Sequence, residues 1–412
     1  MAGRAAATLL ALQLARPLAA ADWPGWRGAH RDGRTPETLP ARLDAAPAAL
    51  WRRPVGHGYA GPIVVAGRVV VLDDADGRET AHALDAGTGR VLWSTAFAPA
   101  WSDEFEPGPR CTPLSDGARV YVQSAQGELA CLDLQDGRRK WGVRFADYGT
   151  VWNQDRQGGQ GAATRRGHTG SPVLAGDRLI VQVGSARGAS LVAFDRATGR
   201  ELWRSLSDLT AYSSPVVGTL AGQEQVVAAT CEGLVGVAVA DGRELWRQRF
   251  KTHANRNVLT PILADPHVYF ASVNTGLRRE EIRPGAGPGE TLAATTAWLH
   301  RDLGINLSTP VLVDGHLFGL GARKDYLCLD AATGAVRWSQ PGFGEVAATL
   351  TDGRTLLLLD DRGEVRLVEA RPGGWRETGR FQACGKTYSH PAWADGVLYV
   401  RDPREVVAYR FR

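Results

Sequence analysis

The side chains able to do chemistry in this 412-residue chain are scattered along it. Five cysteines (Cys111, Cys131, Cys231, Cys328 and Cys384) include no CxxC pair and no CxxCH. A covalently attached haem and a CxxC zinc knuckle both need that spacing, because two thiols must reach one centre from one turn. The only methionine is the initiator, so a Met-ligated haem or copper site is excluded from the mature chain. The nine histidines contain neither His-x-His nor His-Glu-x-x-His, and no metal site is expected from them. The run Trp152-Asn153-Gln154-Asp155 carries oxygen ligands of the kind calcium takes, but in a long insertion it is expected to be an ordinary polar loop. The runs Asp103-Glu104-Phe105-Glu106 and Arg278-Arg279-Glu280-Glu281 are likewise expected in solvated loops.

Composition narrows the classes. With 44% hydrophobic and 22% charged residues the chain is globular, neither disordered nor a small disulfide scaffold. All but four of its 48 basic residues are arginine, and 44 acidic residues balance them, so nucleic acid is not an expected partner. After Arg4, residues 5–15 form an apolar stretch too short to cross a bilayer but suited to the core of a secretory signal, with Ala19-Ala20-Ala21 as its cleavage site. The expectation is a signal peptide over 1–21, an extension over 22–50 and one domain over 51–412. A periplasmic or secreted monomer without a membrane span follows. No cysteine stands after the cleavage site, so no lipid anchor is expected there.

A repeat organises the rest. Trp93, Trp141, Trp203, Trp246 and Trp338 each have glycine four residues earlier and Thr or Asp five earlier, and four of the five have Asp eight earlier. In Asp-x-x-(Thr/Asp)-Gly-x-x-x-Trp, the carboxylate can accept turn N–H groups, the glycine supplies a left-handed turn residue, and the indole is a large plate to set against a neighbouring repeat. Nine before each Trp the residue is large and apolar, and ten before it is small (Ala83, Cys131, Ala193, Gly236, Cys328), which predicts a strand buried on both faces. Pro62, Pro113, Pro172, Pro215, Pro261, Pro310 and Pro391 each open a short apolar run, as proline is tolerated at a strand's first residue.

Each repeat is therefore four strands. Trp298 stands where a degenerate copy belongs, Trp375 closes a weaker seventh, and the C-terminal tail has about three strands and no closing Trp. Trp51 is a closing strand with no repeat before it, so the N-terminal strand should complete the last blade and remove both sheet edges. The predicted fold is an all-β, eight-bladed propeller of four-stranded antiparallel blades, with seven blades as the alternative if residues 344–379 are not a blade of their own.

The repeat resembles the tryptophan-docking motif of pyrroloquinoline-quinone-type, or quinoprotein-like, β-propellers. Residues Asp22-Trp23-Pro24-Gly25-Trp26-Arg27-Gly28 resemble the opening of secreted members. That superfamily includes alcohol and sugar dehydrogenases as well as non-enzymatic members such as the scaffold of outer-membrane barrel assembly, so the resemblance implies fold more than activity. The adjacent Cys-Cys pair and the calcium-binding Glu and Asn motifs of the dehydrogenases find no match here.

With proline as ruler, His168, Asn257 and Asn306 stand four residues before it, and Tyr59, Arg110, Tyr212 and Tyr388 three before. Nearby are His57, Arg165, Arg166, His253, Asn255, Arg256, Lys386 and His390. These residues lead into the innermost strands and are expected at the mouth of the central channel, a rim suited to an anionic or carbohydrate-like ligand or a peptide. Trp23 and Trp26 are expected to cover a propeller face or edge. The functional expectation is a non-catalytic binding or scaffolding propeller of the envelope, with no cofactor, whose partner is an envelope protein or a small polar or anionic ligand. The alternative is a PQQ- and calcium-dependent dehydrogenase acting on alcohols or sugars.

Overall fold

The computed structural model describes residues 22–103, 107–150, 166–252, 256–272, 275–285, 292–305 and 307–411. They form eight four-stranded antiparallel sheets arranged as a ring. Seven are built from consecutive strands over 63–99, 114–144, 173–205, 216–249, 262–300, 311–341 and 347–382, hereafter blades 1 to 7. Blade 8 takes three strands from 392–410 and its outermost from Ala49–Pro54, with Trp51 opposite Ala408. The chain ends thus share one sheet, and the seven-blade alternative is excluded because residues 347–382 make a complete blade.

Burial follows the sequence pattern. The second and third strands of a blade are closed in by sheets on both sides, and Thr355–Asp360 is buried at every residue. The outermost strand alternates, as in Arg139–Arg144. The prolines sit one residue ahead of the paired strand, at Pro62 before Ile63–Val65 and Pro172 before Val173–Ala175, where a missing N–H costs no ladder bond.

The indoles join blade to blade. Trp93 of blade 1 lies on the turn of blade 2, its Nε1 donating to Leu134 O at 3.0 Å. Trp51, Trp141, Trp203 and Trp338 do the same to Ala86, Arg196, Val239 and Arg371. The turns that carry the aspartate, at Asp85, Asp133, Asp195 and Asp330, are held by it: Asp195 Oδ1 accepts from the Thr198 amide at 2.8 Å and its hydroxyl at 2.8 Å. Gly137 has φ of 72°, and a Cβ built there would lie 2.6 Å from the Trp93 ring, so backbone conformation and indole contact both demand glycine. At the joint between blades 8 and 1, the fully buried Arg401 donates to Leu72 O at 2.5 Å and Gly56 O at 2.9 Å.

Four local expectations need correction. Trp298 is not degenerate in role, since its Nε1 reaches Ala331 O of blade 6 at 3.3 Å. Trp246 instead bonds Gln225 Oε1 in its own blade at 2.5 Å, because blade 5 offers no Asp-x-x-Thr-Gly turn. Trp375 lies before the outer strand of blade 7 (Glu377–Gln382) and packs 5.7 Å from Trp338. The stretch 277–297 is mostly two long strands (Gly276–Pro284 and Leu292–His300), in which Arg278 and Glu280 are buried and paired at 3.3 Å rather than solvated. The five cysteines are all buried free thiols, Cys131 and Cys328 in the small slots facing Trp141 and Trp338.

Gly137→Ala and Gly188→Ala compare the two demands, since Gly188 has φ of 79° with nothing within 4 Å of an added methyl. The first should lose about 1–2 kcal/mol from the left-handed backbone plus about 1–3 kcal/mol from overpacking, and the second only the backbone part. Equal losses in denaturant unfolding would contradict indole docking as the origin of the spacing that recurs along the chain.

Candidate functional site

Residues 22–35, with Trp23 and Trp26, lie across one end of the central channel and touch all eight blades. Trp23 forms a two-bond bridge with Val64 of blade 1, and Pro24 O accepts from Ser115 N of blade 2. Arg31 Nη1 donates to Ser171 O of blade 3 at 3.1 Å and Pro215 O at the start of blade 4 at 2.9 Å. Trp26 Nε1 donates to Thr260 Oγ1 leading into blade 5 at 2.9 Å. Arg27 donates to Thr309 O at 2.5 Å and Pro310 O at 2.8 Å at blade 6, and also to Arg31 O and Asp32 O of its own segment. Thr35 and Gly33 pair with Thr351 of blade 7, and both indoles lie against His390 of blade 8. Arg27 and Arg31 have φ near 60°, a left-handed conformation uncommon for arginine, and the surrounding carbonyls hold their guanidinium groups. Three arginines at positions 27, 31 and 34 outside any strand pattern were the available sequence signal for this plug.

Around the same level, a belt of hydroxyl groups leading into blades 2, 3, 4 and 6 each accept an amide from the preceding blade and so tie four of the eight joints. Gly61 N donates to Thr112 Oγ1 at 3.2 Å, Thr112 N to Ser171 Oγ at 3.0 Å, and Ser171 N to Ser214 Oγ at 3.0 Å. Thr260 N continues to Thr309 Oγ1 at 3.0 Å. These are the residues immediately before the prolines, and a hydroxyl there accepts the amide that the ladder leaves unpaired.

The opposite end is the mouth, and several of the expected rim residues meet there. The Arg110 guanidinium lies 4.7 Å from the Tyr59 ring and 4.9 Å from Trp101, and donates to Asp103 Oδ1 at 2.9 Å. Arg166 reaches the other Asp103 oxygen at 3.3 Å, so one carboxylate couples the loops entering blades 2 and 3. Burial pushes the Tyr212 phenol up to about 12, opposed by a hydrogen bond from the Arg166 main chain, while the Arg256 charge is within range. Tyr59 packs 5.6 Å from Tyr388, and Lys386 Nζ stands 5.5 Å from the Tyr388 ring. Tyr59, Arg110, Arg166, Tyr212, Arg256, Lys386 and Tyr388 therefore share the rim, together with Trp101 and Asp103, which the proline ruler misses because they lie farther from it.

Three expected rim residues are elsewhere. His168 is 2% exposed, edge-on to Phe145 at 4.9 Å, and burial pushes its pKa down to about 4. His390 is covered by the plug and pushed down to about 3, again chiefly by burial. Asn257 is fully buried, its Nδ2 donating to Thr230 O at 2.7 Å and its main-chain carbonyl accepting the Tyr212 amide. His57 is exposed beside Asp74. Arg165, His253, Asn255, Asn306 and the run Trp152–Asp155 lie outside the described residues.

The chemistry available is recognition by aromatic faces and cations. Burial pushes the thiols of Cys131, Cys231, Cys328 and Cys384 up to about 12, far from a thiolate at neutral pH. Among the described residues no group of three or more His, Cys, Asp or Glu is placed to hold a metal ion. One acid beneath the rim is unusual: Glu79 is fully buried, accepts a long bond from Ala125 N at 3.4 Å, and burial pushes it up to about 8.

Two experiments test this geometry. Arg27→Ala leaves buried carbonyls of blade 6 and the plug without donors, and should cost at least about 3 kcal/mol in unfolding free energy; a loss under about 1 kcal/mol would show the plug to be dispensable. Glu79 has a folded pKa near 8 against an ordinary 4.5, so its contribution is fully present below 4.5 and lost as pH rises through 8. Glu79→Gln should therefore match the native protein near pH 4.5 and become the more stable of the two as pH approaches 8; a constant difference would contradict the buried acid.

The sequence is matched by the family model described as outer membrane protein assembly factor BamB, over residues 37–191, 146–287 and 289–412. Among individual relatives, the outer membrane protein assembly factor BamB of Shewanella oneidensis is 23% identical over 381 residues, covering 86% of each chain. The dehydrogenase subunit of a quinone alcohol dehydrogenase from Gluconobacter oxydans is 32% identical over 130 residues, but the match spans only 16% of that relative's length and 30% of this chain. Of solved structures, BamB from Moraxella catarrhalis has a TM-score of 0.59 at 15% identity, over 89% of this chain and 98% of the other. Quinohemoprotein alcohol dehydrogenase from Comamonas testosteroni has a TM-score of 0.64 at 14% identity, over 94% and 80%, so these likenesses show the propeller fold alone. No helix among the described residues is long and apolar enough to cross a membrane. By the extent of the family match, the chain belongs to the BamB-like family of PQQ-like repeat β-propellers.

Proposed function

We propose that this protein is a non-catalytic binding or scaffolding propeller of the cell envelope, exported by residues 1–21 and working in the periplasm or outside the cell as a monomer. Its mouth loops receive either an envelope partner connected with outer-membrane protein assembly or a small polar or anionic ligand. One observation carries the reading: at the mouth, the groups that could do acid–base work are engaged in holding loops. Asp103 is shared by Arg110 and Arg166, while the outward surface is left to Tyr59, Tyr388, Lys386 and Arg256. Rigid aromatic faces beside cations are the composition of a binding hot spot. The end-to-end likeness to assembly factors supports the same reading.

The second reading, a PQQ- and calcium-dependent dehydrogenase, is favoured by the local identity to quinone alcohol dehydrogenases. Calcium takes six to eight oxygen ligands, commonly carboxylates. The described mouth fits that poorly: both Asp103 oxygens are held by arginines, and Glu79 is a buried acid kept protonated near neutrality.

Photo-cross-linking from position 388 in producing cells tests the mouth, with the exposed position 354 on the opposite face as control. Cross-links from 388 alone to an outer-membrane assembly component are expected, and Arg256→Ala with Lys386→Ala should weaken them; cross-links from 354 alone would overturn the assignment. Incubation of the purified protein with PQQ and calcium should give neither a bound chromophore nor dye-linked alcohol oxidation, and both together would establish the second reading.

A further inference from the structure

Where the plug meets the hydroxyl belt, hydrogen-bond donors outnumber acceptors. Thr112, Ser171 and Ser214 each accept an amide through the side-chain oxygen, and none of these hydroxyls finds an acceptor for its own proton among the described residues. Arg31 uses Nη1 for two carbonyls, Ser171 O and Pro215 O, but its buried Nη2 has no partner among the described residues. Arg31 is 5% exposed, and the acid nearest in sequence, Asp32, spends one oxygen on the Arg34 amide. Arg27, the second buried guanidinium of the plug, is satisfied by carbonyls alone.

The charge balance is equally one-sided. Burial lowers the Arg31 pKa to about 9, with no acidic group among the described residues close enough to oppose it. A guanidinium taken out of water without a counter-charge is costly, and carbonyl dipoles offset only part of that cost. A group that accepts several hydrogen bonds and carries negative charge would resolve both deficits at once. Water would accept the bonds but bring further protons and no charge.

We propose that the channel neck binds one small inorganic anion, a halide or a tetrahedral oxyanion, against Arg31 Nη2, beside the Ser171 and Pro215 carbonyls that Nη1 holds, with the hydroxyls of Ser171 and Ser214 as further donors. The anion completes the joint between the plug and blades 3 and 4, so its binding stabilises the closed ring. This site is independent of the mouth and of any partner bound there.

The test uses the full-length purified protein at constant ionic strength, titrated separately with bromide, sulfate and phosphate while the unfolding temperature is followed. A saturable rise is expected with a halide or with an oxyanion, and the tighter series identifies the occupant. Crystals grown in bromide, or in sulfate, should show the anion in contact with the Arg31 guanidinium. Arg31→Gln should weaken the titration midpoint by about tenfold or more, the loss of a charge-assisted contact. Arg34→Gln, which removes an exposed guanidinium of the same segment, should leave it unchanged. If Arg31→Gln does not fold, Ser214→Ala should still raise the midpoint several-fold. A strictly linear salt response, an equal effect of the two arginine variants, or only water at the neck would overturn the proposal.

Discussion

A propeller of eight separate sheets has two geometric liabilities: the ring has to close, and the channel it encloses exposes main-chain carbonyls that no ladder reaches. This chain answers both with residues 22–54. Ala49–Pro54 adds the outer strand to the last blade, so that each end of the chain fixes the other. Ahead of it, residues 22–35 enter the channel and bring guanidinium and indole N–H groups to carbonyl and hydroxyl oxygens of the inner wall. Arginine suits this task because its planar fork carries five donors and can bridge carbonyls from two blades at once, as Arg31 does between blades 3 and 4. Arg401 repeats the device at the joint between blades 8 and 1.

Filling one end of the channel decides what the other end can be. At the mouth the loops are braced sideways through Asp103, Arg110 and Arg166. The cations and phenols that remain outward, Lys386, Arg256, Tyr59 and Tyr388, come from loops entering different blades, so the ring sets their spacing. Such residues, positioned by a rigid scaffold on loops free to vary, suit the docking role proposed for the mouth. A ring of nearest-neighbour blades tolerates such variation because each core is closed between sheets and away from the mouth.

The fold was legible because its code is local and repeated. Asp195, Thr198 and Gly199 form a turn within five residues, and Trp141 needs only that turn on the next blade. Blade 7 was fainter for the same reason: Trp375 is displaced into a ring cluster with Tyr326 and Trp338, and the turn motif is absent. The proline ruler picked out Tyr59, Arg110 and Tyr388, which the structure brings into contact, Arg110 and Tyr388 each packing on Tyr59, since the backbone path into each inner strand is similar. It failed at His168 and His390 because one residue farther from the proline, or two nearer, turns a side chain from the mouth into the blade interface or the neck. Beyond the off-pattern arginines at 27, 31 and 34, where the plug docks was illegible, because its contacts join residue 27 to residue 309 and residue 31 to residue 215, separations that no motif encodes.

The central claim is that plug and belt make the eight blades one cooperative unit. Native-state hydrogen exchange of the belt amides of Gly61, Thr112, Ser171 and Thr260 tests it most directly, because each bonds a hydroxyl on the adjoining blade. A single opening free energy, equal at all four amides and equal to that of global unfolding, is the result the account requires. Opening energies that differ from blade to blade, with any of the four exchanging well below the global value, would contradict it.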